Sequence, residues 1–186
     1  MKRCVDLVLA CCLGLIFLLP ILLLGALVRM TSTGSALYWS DRVGRRNRVF
    51  RMPKFRSMRI DTPPVATHML TDPDVYLTTI GPFLRKTSLD ELPQLWSILK
   101  GDMSFVGPRP ALFNQADLIE LRTRYGVHEL VPGLTGWAQV NGRDELPIPE
   151  KVKLDVEYLQ RRSLWFDLRI LWLTLIKVVR SDGVSH

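Results

Sequence analysis

The sequence predicts an α+β fold, mostly helical, with an apolar N-terminal segment (1–35) ahead of a small cytosolic domain (36–186). Three observations predict it. An uncharged run of 22 residues extends from Leu7 to Val28. Helix-patterned stretches fill much of the remainder, with one strand-like stretch, "VFRMPKFRSM" (49–58), among them. Dense glycine–proline loops, "GDMSFVGPRP" and "VPGLTGWAQVNGR", separate these elements.

The chain of 186 residues suits one domain of ordinary size. With 47% apolar and 23% charged residues, its composition excludes disorder. The 25 basic residues outnumber 18 acidic ones, a net charge of +7, which suits an anionic partner: nucleic acid, anionic lipid or a phosphorylated substrate. All three cysteines, Cys4, Cys11 and Cys12, lie in or near the apolar run. A disulfide framework and a Cys-type zinc site are therefore excluded, as fits a reducing compartment. The three histidines, His68, His128 and His186, form no metal-ligand spacing and read as surface or capping residues.

Taken in order, the apolar run comes first. At 1.5 Å per residue it would extend roughly 33 Å, enough to cross a hydrocarbon core of about 30 Å. It exceeds a signal-peptide core, and no small-x-small cleavage site follows. Flanking charge argues against simple spanning: Lys2 and Arg3 precede the run, while Arg29, Arg42, Arg45, Arg46 and Arg48 follow it. Positive charge stays on the cytoplasmic side, so both ends belong there. Pro20, near the middle, removes a backbone donor and clashes with the carbonyl of Ile16. The expectation is a re-entrant helix broken at Pro20.

Residues 38–60 are basic and turn-rich. One account is a loop on anionic headgroups, each basic residue contributing about 1 kcal/mol. The other is the strand 49–58, carrying Lys54 and Arg56 towards an anionic ligand. Aromatic residues interleave the charges, but no nucleic-acid motif follows, so no nucleic-acid partner is expected. Residues 61–75, with three prolines, read as an irregular loop. Helices are expected over 92–100, 111–125 and 150–161. The tail "SLWFDLRILWLTLIKVV" is too short and too charged to span. Its Trp165 and Trp172 favour a helix lying in the membrane interface, with a buried core helix as the alternative.

Within "KTSLDELPQLW" (86–96), Asp90 and Glu91 stand side by side. Ser88 with Glu91 matches the S-x-x-E capping box, a complete structural account of both acids. Pro93 weakens it, because a helix capped at Ser88 would drive the proline ring into the carbonyl of Leu89. A start at Asp90 or later keeps Pro93 in the first turn, where its missing donor is harmless. The alternative is chemistry. Arg85 and Lys86 precede the acids, and Arg109 and Arg143 sit in the glycine–proline loops. Acids among arginines suit metal-assisted phosphoryl transfer, the carboxylates holding a divalent cation or attacking phosphorus.

The motifs "KFRSM" (54–58), "LRKTSLDELPQLWSILKGDMSFVGPRP" (84–110) and "PGLTGWAQVNGR" (132–143), in that order, resemble the bacterial sugar transferases, the monotopic phosphoglycosyl transferases, in their minimal form. The resemblance covers nearly the whole chain. Two departures stand out: Leu19 precedes Pro20 where the family often has Ser, and Val75, Tyr76 and Leu77 stand where a basic residue is common.

The resemblance implies a reaction. A UDP-sugar gives its phosphosugar to polyprenyl (undecaprenyl) phosphate, UMP leaves, and a polyprenyl-diphosphate-sugar forms as the first membrane step of glycoconjugate assembly. It implies Asp90 as nucleophile and metal ligand, Glu91 as its partner, and Mg²⁺ as cofactor. Lys54, Arg56, Arg85, Arg109, Gln139, Asn141 and Arg143 are the implied substrate-binding positions. The implied location is the cytoplasmic face of the bacterial inner membrane, among its lipids, and a homo-oligomer is left open. Two rivals carry different outcomes: a basic membrane-anchored binder without catalysis, and a phosphatase or pyrophosphatase releasing a soluble product.

Overall fold

The computed structural model describes residues 1–63, 72–142 and 146–180. Two N-terminal helices, α1 (Lys2–Ile16) and α2 (Leu18–Thr31), meet at a 62° bend. The bend falls at Phe17, three residues before Pro20. Proline has no amide to offer Ile16, so the carbonyl ladder fails one turn upstream of the ring. Pro20 itself sits in the first turn of α2, where a helix needs no donor. Among the described residues no single helix is long and apolar enough to cross a membrane; only the bent pair passes that test, and it does so together. Leu15, Ile16, Leu19, Leu22 and Leu23, around the bend, are exposed.

Strands β1 (Leu37–Val43) and β2 (Val49–Phe55) form an antiparallel hairpin running from the pair Leu37–Phe55 to Val43–Val49. Arg46 and Asn47 at its tip take left-handed backbone conformations, with φ of 56° and 58°. The Arg46 side chain is tied there to Glu129, 3.0 Å away. Pro53, mid-strand, is tolerated because β2 is an edge strand, paired on one side only, with β1. The strand ends at Phe55, three residues short of the expected 58.

Beyond the hairpin, a 3₁₀ turn at Pro73–Tyr76 leads to α3 (Gly81–Lys86), a 3₁₀ helix at Leu89–Gln94 and α4 (Leu95–Lys100). Strand β3 (Ser104–Val106) and β4 (Ala111–Leu112) follow, then α5 (Ala116–Arg124). The helix expected over 111–125 therefore begins only at Ala116, since residues 111 and 112 pair with Val43 and Arg42 of β1. Strand β5 (Gly133–Thr135) lies parallel to β3, and α6 (Trp137–Asn141), α7 (Ile148–Arg161) and α8 (Leu164–Arg180) complete the chain.

The main core gathers Leu95, Ile98, Met103, Phe105, Val127, Tyr158, Phe166 and Ile170, and α1 contributes Ala10 to it. A second cluster joins Val28 of α2 to Phe55 and Leu84, with Leu89 and Leu92 packed alongside. The N-terminal helices are thus bound into the domain at both ends. Helix α8 has two faces. Phe166 and Ile170 are buried, while Trp165, Leu168, Trp172, Leu175 and Val178 form an exposed apolar stripe.

Candidate active site

The acid pair lies on the 3₁₀ helix Leu89–Gln94, between α3 and α4. The capping box does not form. Ser88 takes a left-handed conformation (φ 55°) and its hydroxyl makes no cap bond. The Glu91 carboxylate turns instead to Lys54. A 3₁₀ helix advances three residues per turn, so Pro93 deprives it of a single i→i+3 bond, and the segment is wound tightly where the acids sit. A left-handed residue other than glycine costs free energy and persists only where its surroundings enforce it.

Lys54, on β2, reaches between both acids. Its Nζ donates to Glu91 Oε1 at 2.8 Å and stands 3.8 Å from Asp90 Oδ2, an ion pair without a hydrogen bond. Arg109 Nη1 lies 3.7 Å from the same Glu91 oxygen. Arg85, on α3, is within electrostatic reach of Asp90 and of Asp74 on the preceding turn. Three cations therefore converge on the acid pair, a setting that suits a phosphorylated ligand.

Asp90 is 8% exposed. Burial raises its carboxyl pKa above the ordinary range, and Lys54 offsets part of that rise; neighbouring Glu91 adds to it. Burial also lowers the Arg85 guanidinium from its ordinary value, while Asp90 and Asp74 pull it back. A buried carboxylate kept among cations has the character of a functional group.

Close backbone packing holds Arg109 in place. A Cβ on Gly136 would come within 2.1 Å of the Gly107 carbonyl oxygen, and one on Gly133 within 2.1 Å of the Gly107 amide nitrogen. Only glycines let these two loops touch. From behind, Arg122 Nη1 donates to the Arg109 carbonyl at 2.8 Å. Arg122 is itself fixed to Asp155 by two hydrogen bonds, from Nε at 2.9 Å and Nη2 at 2.7 Å.

The structure brings Lys54, Arg85, Asp90, Glu91 and Arg109 together and sets three other positions apart. Arg56 donates to the Thr33 carbonyl at 2.6 Å, at the junction with the N-terminal segment. Gln139 Nε2 donates to the Leu134 carbonyl of β5 and Asn141 Nδ2 to the Trp137 carbonyl within α6; Gln139 Oε1 is buried without a partner. Arg143 lies outside the described residues. Sequence reasoning missed Asp74 and Arg122. The acidic turn "DPD" was a weak signal for the first; nothing marked the second.

No group of three metal-ligating side chains gathers among the described residues. Mg²⁺ needs no such cage, since it keeps waters and binds through one or two carboxylates together with substrate phosphates. Asp90, with no hydrogen bond from Lys54, fits that requirement.

A family model described as bacterial sugar transferase matches residues 1–181. The uncharacterized sugar transferase EpsL of Bacillus subtilis (strain 168) is 41% identical over 191 residues, covering 100% of this chain and 91% of that protein. The UDP-glucose:undecaprenyl-phosphate glucose-1-phosphate transferase of Escherichia coli (strain K12) is 40% identical over 185 residues, which is 95% of this chain but 40% of the relative. The undecaprenyl-phosphate galactose phosphotransferase of Salmonella typhimurium (strain LT2) is 36% identical over 199 residues, again 98% of this chain and 41% of the relative. The chain thus spans about two-fifths of the length of the latter two.

Proposed function

The chain belongs to the bacterial sugar transferase family, and on that premise we propose that it moves a phosphosugar from a UDP-sugar to undecaprenyl phosphate through a covalent intermediate on Asp90. The observation that carries the proposal is the pair of buried Asp90 and half-buried Glu91 enclosed by Lys54, Arg85 and Arg109. An Asp90 oxygen attacks the phosphorus bearing the sugar, and the bond from that phosphorus to the bridging oxygen breaks. UMP leaves with the bonding pair. An oxygen of the lipid phosphate then attacks the same phosphorus, the Asp90–phosphorus bond breaks, and the carboxylate is regenerated with the lipid diphosphate sugar as product.

Two steps spare the protein from holding a soluble and a lipid substrate at once. Lys54 holds Glu91 and shields the attacking carboxylate, while Arg85 and Arg109 spread the charge of the pyrophosphate. Asp90 would hold Mg²⁺ together with substrate oxygens, and the ion would supply neutralisation of the anionic pyrophosphate and the departing UMP.

Two apolar surfaces support a position at a membrane. The bent pair α1–α2 enters the bilayer and returns, because both ends are bound into one domain and both flanks are basic. The exposed stripe of α8 lies in the interface on the cytoplasmic face of a bacterial inner membrane. Native Cys4 on α1, which is exposed, and a cysteine placed at position 42, in a background without Cys11 and Cys12, should both be shielded from an impermeant reagent outside intact cells. Labelling of Cys4 from outside would sink the re-entrant arrangement.

The deciding experiment offers a panel of UDP-sugars with undecaprenyl phosphate and measures UMP. Release of UMP with a lipid-linked product is expected for one or a few sugars. Release of free sugar phosphate in place of a lipid product would instead mark a hydrolase.

A further inference from the structure

Sequence reasoning assigned Lys2 and Arg3 to the membrane flank, but both point into the domain. The Lys2 ammonium has three donors, and three acceptors meet them: the Val106 carbonyl at 2.8 Å, the Tyr158 hydroxyl at 3.0 Å and Asp167 Oδ2 at 2.6 Å. The Tyr158 hydroxyl donates in turn to Asp167 Oδ1 at 2.7 Å. Tyr158 is 3% exposed, and burial raises its phenol pKa well above the ordinary value, so it stays neutral and keeps its proton for Asp167.

One turn along α1, Asp6 Oδ1 accepts from the Phe105 amide at 3.2 Å and from the Ser104 hydroxyl at 3.1 Å. Arg3 donates to the carbonyls of Ile98 at 2.5 Å and Leu99 at 2.8 Å, capping the C-terminal end of α4. The first two turns of α1 therefore grip the segment 98–106 at five residues: Ile98, Leu99, Ser104, Phe105 and Val106. That segment begins at the end of the helix following the acid pair, and it stops three residues before Arg109.

We infer that Lys2 is a positioning residue for Arg109, fixing the end of β3 so that Gly107–Pro108 delivers the guanidinium to the acid pair. The inference rests on the reading that Arg109 serves the phosphorylated substrate. The chain between the Lys2 contact and Arg109 has little freedom. Val106 is held by Lys2, Gly107 is packed against Gly133 and Gly136, and Pro108 has a fixed φ. A displacement of about 1 Å at such a position can cost up to a hundredfold in rate. The arrangement makes the amino end of the apolar helix pair part of the active-site scaffold.

The test is a double-mutant cycle between Lys2→Met and Arg109→Ala, read as kcat/KM for UMP release, with Lys2→Arg as the conservative rescue. Lys2→Met is expected to lower kcat/KM at least about tenfold in the native background and to change it little once Arg109 is alanine; Lys2→Arg should recover most of the loss. Losses that multiply would show that Lys2 acts on the fold alone and would overturn the inference. So would native kinetics in Lys2→Met. Tyr158→Phe, which removes one oxygen and keeps the ring, should follow the same non-additive pattern with a smaller loss. Amide exchange reads the contact without any substrate. Faster exchange at Gly107 and Arg109 in Lys2→Met supports the inference, and unchanged exchange overturns it. A native protein that fails to release UMP with any sugar would sink the proposed reaction while leaving the exchange measurement decisive for Lys2.

Discussion

Asp90 and Asp155 are both buried aspartates beside cationic side chains, and they serve opposite ends. Asp155 is 1% exposed, and Arg122 places two N–H groups on one of its oxygens at 2.7 and 2.9 Å. Asp90 is 8% exposed, and its Lys54 partner stops at 3.8 Å, having spent its hydrogen bond on Glu91. Burial raises the carboxyl pKa of both, against the pull of a neighbouring cation. The difference is completeness. A carboxylate saturated by a guanidinium joins two helices, here α5 and α7. One held by charge at a distance keeps an oxygen available for attack.

Substituting the two in parallel tests this contrast most severely. Asp90→Asn should cut UMP release by about a thousandfold or more, because the nucleophile is gone. The same change should raise thermal stability at neutral pH. A folded pKa above the unfolded one means that the stability contributed by Asp90 is present in acid and lost as pH rises through the folded value. The advantage of Asn over Asp should therefore shrink as pH falls. Full turnover in Asp90→Asn would exclude the covalent route.

Asp155→Asn should act on the fold. It leaves Arg122 buried without its counter-charge, a loss of about 3–5 kcal/mol that urea unfolding in detergent would register. An unchanged midpoint would mean that the Asp155–Arg122 pair contributes nothing that binds α5 to α7.

The smallest effect belongs to Lys54→Met. Among the cations near Asp90, Lys54 does most to lower its carboxyl pKa. In the proposed reaction Asp90 attacks as a carboxylate, so activity should fail as pH falls through that pKa. Without Lys54 the acid limb of the kcat/KM profile should move to higher pH. A limb that stays in place would disconnect Lys54 from Asp90.

Much of the candidate site was legible because its residue types are few and chemically pointed: two adjacent acids, a lysine and arginines within recognisable motifs. What failed was local geometry. The S-x-x-E pattern at Ser88 was complete on paper, yet a left-handed Ser88 and a 3₁₀ helix turned the glutamate to Lys54. Lys54 and Arg56 would share a face if the strand continued, but β2 ends at Phe55, and Arg56 swings away to Thr33. Arg122 looked like one more charge on a polar helix; its burial depends on Asp155, 33 residues distant. The helix pattern likewise could not show that residues 111 and 112 would be claimed by a strand far upstream. Contacts between segments distant in the chain leave little trace in local periodicity.

The Lys2 contact also sets a timetable for biosynthesis. Its partner Asp167 lies 165 residues later in the chain. At about 5–20 residues per second, a ribosome needs roughly ten to thirty seconds to supply it. Until it arrives, the Lys2 ammonium lacks its carboxylate, although Arg3 and Asp6 find their partners by Phe105. The grip of α1 on the domain is thus made in two stages, the Lys2–Asp167 pair coming second.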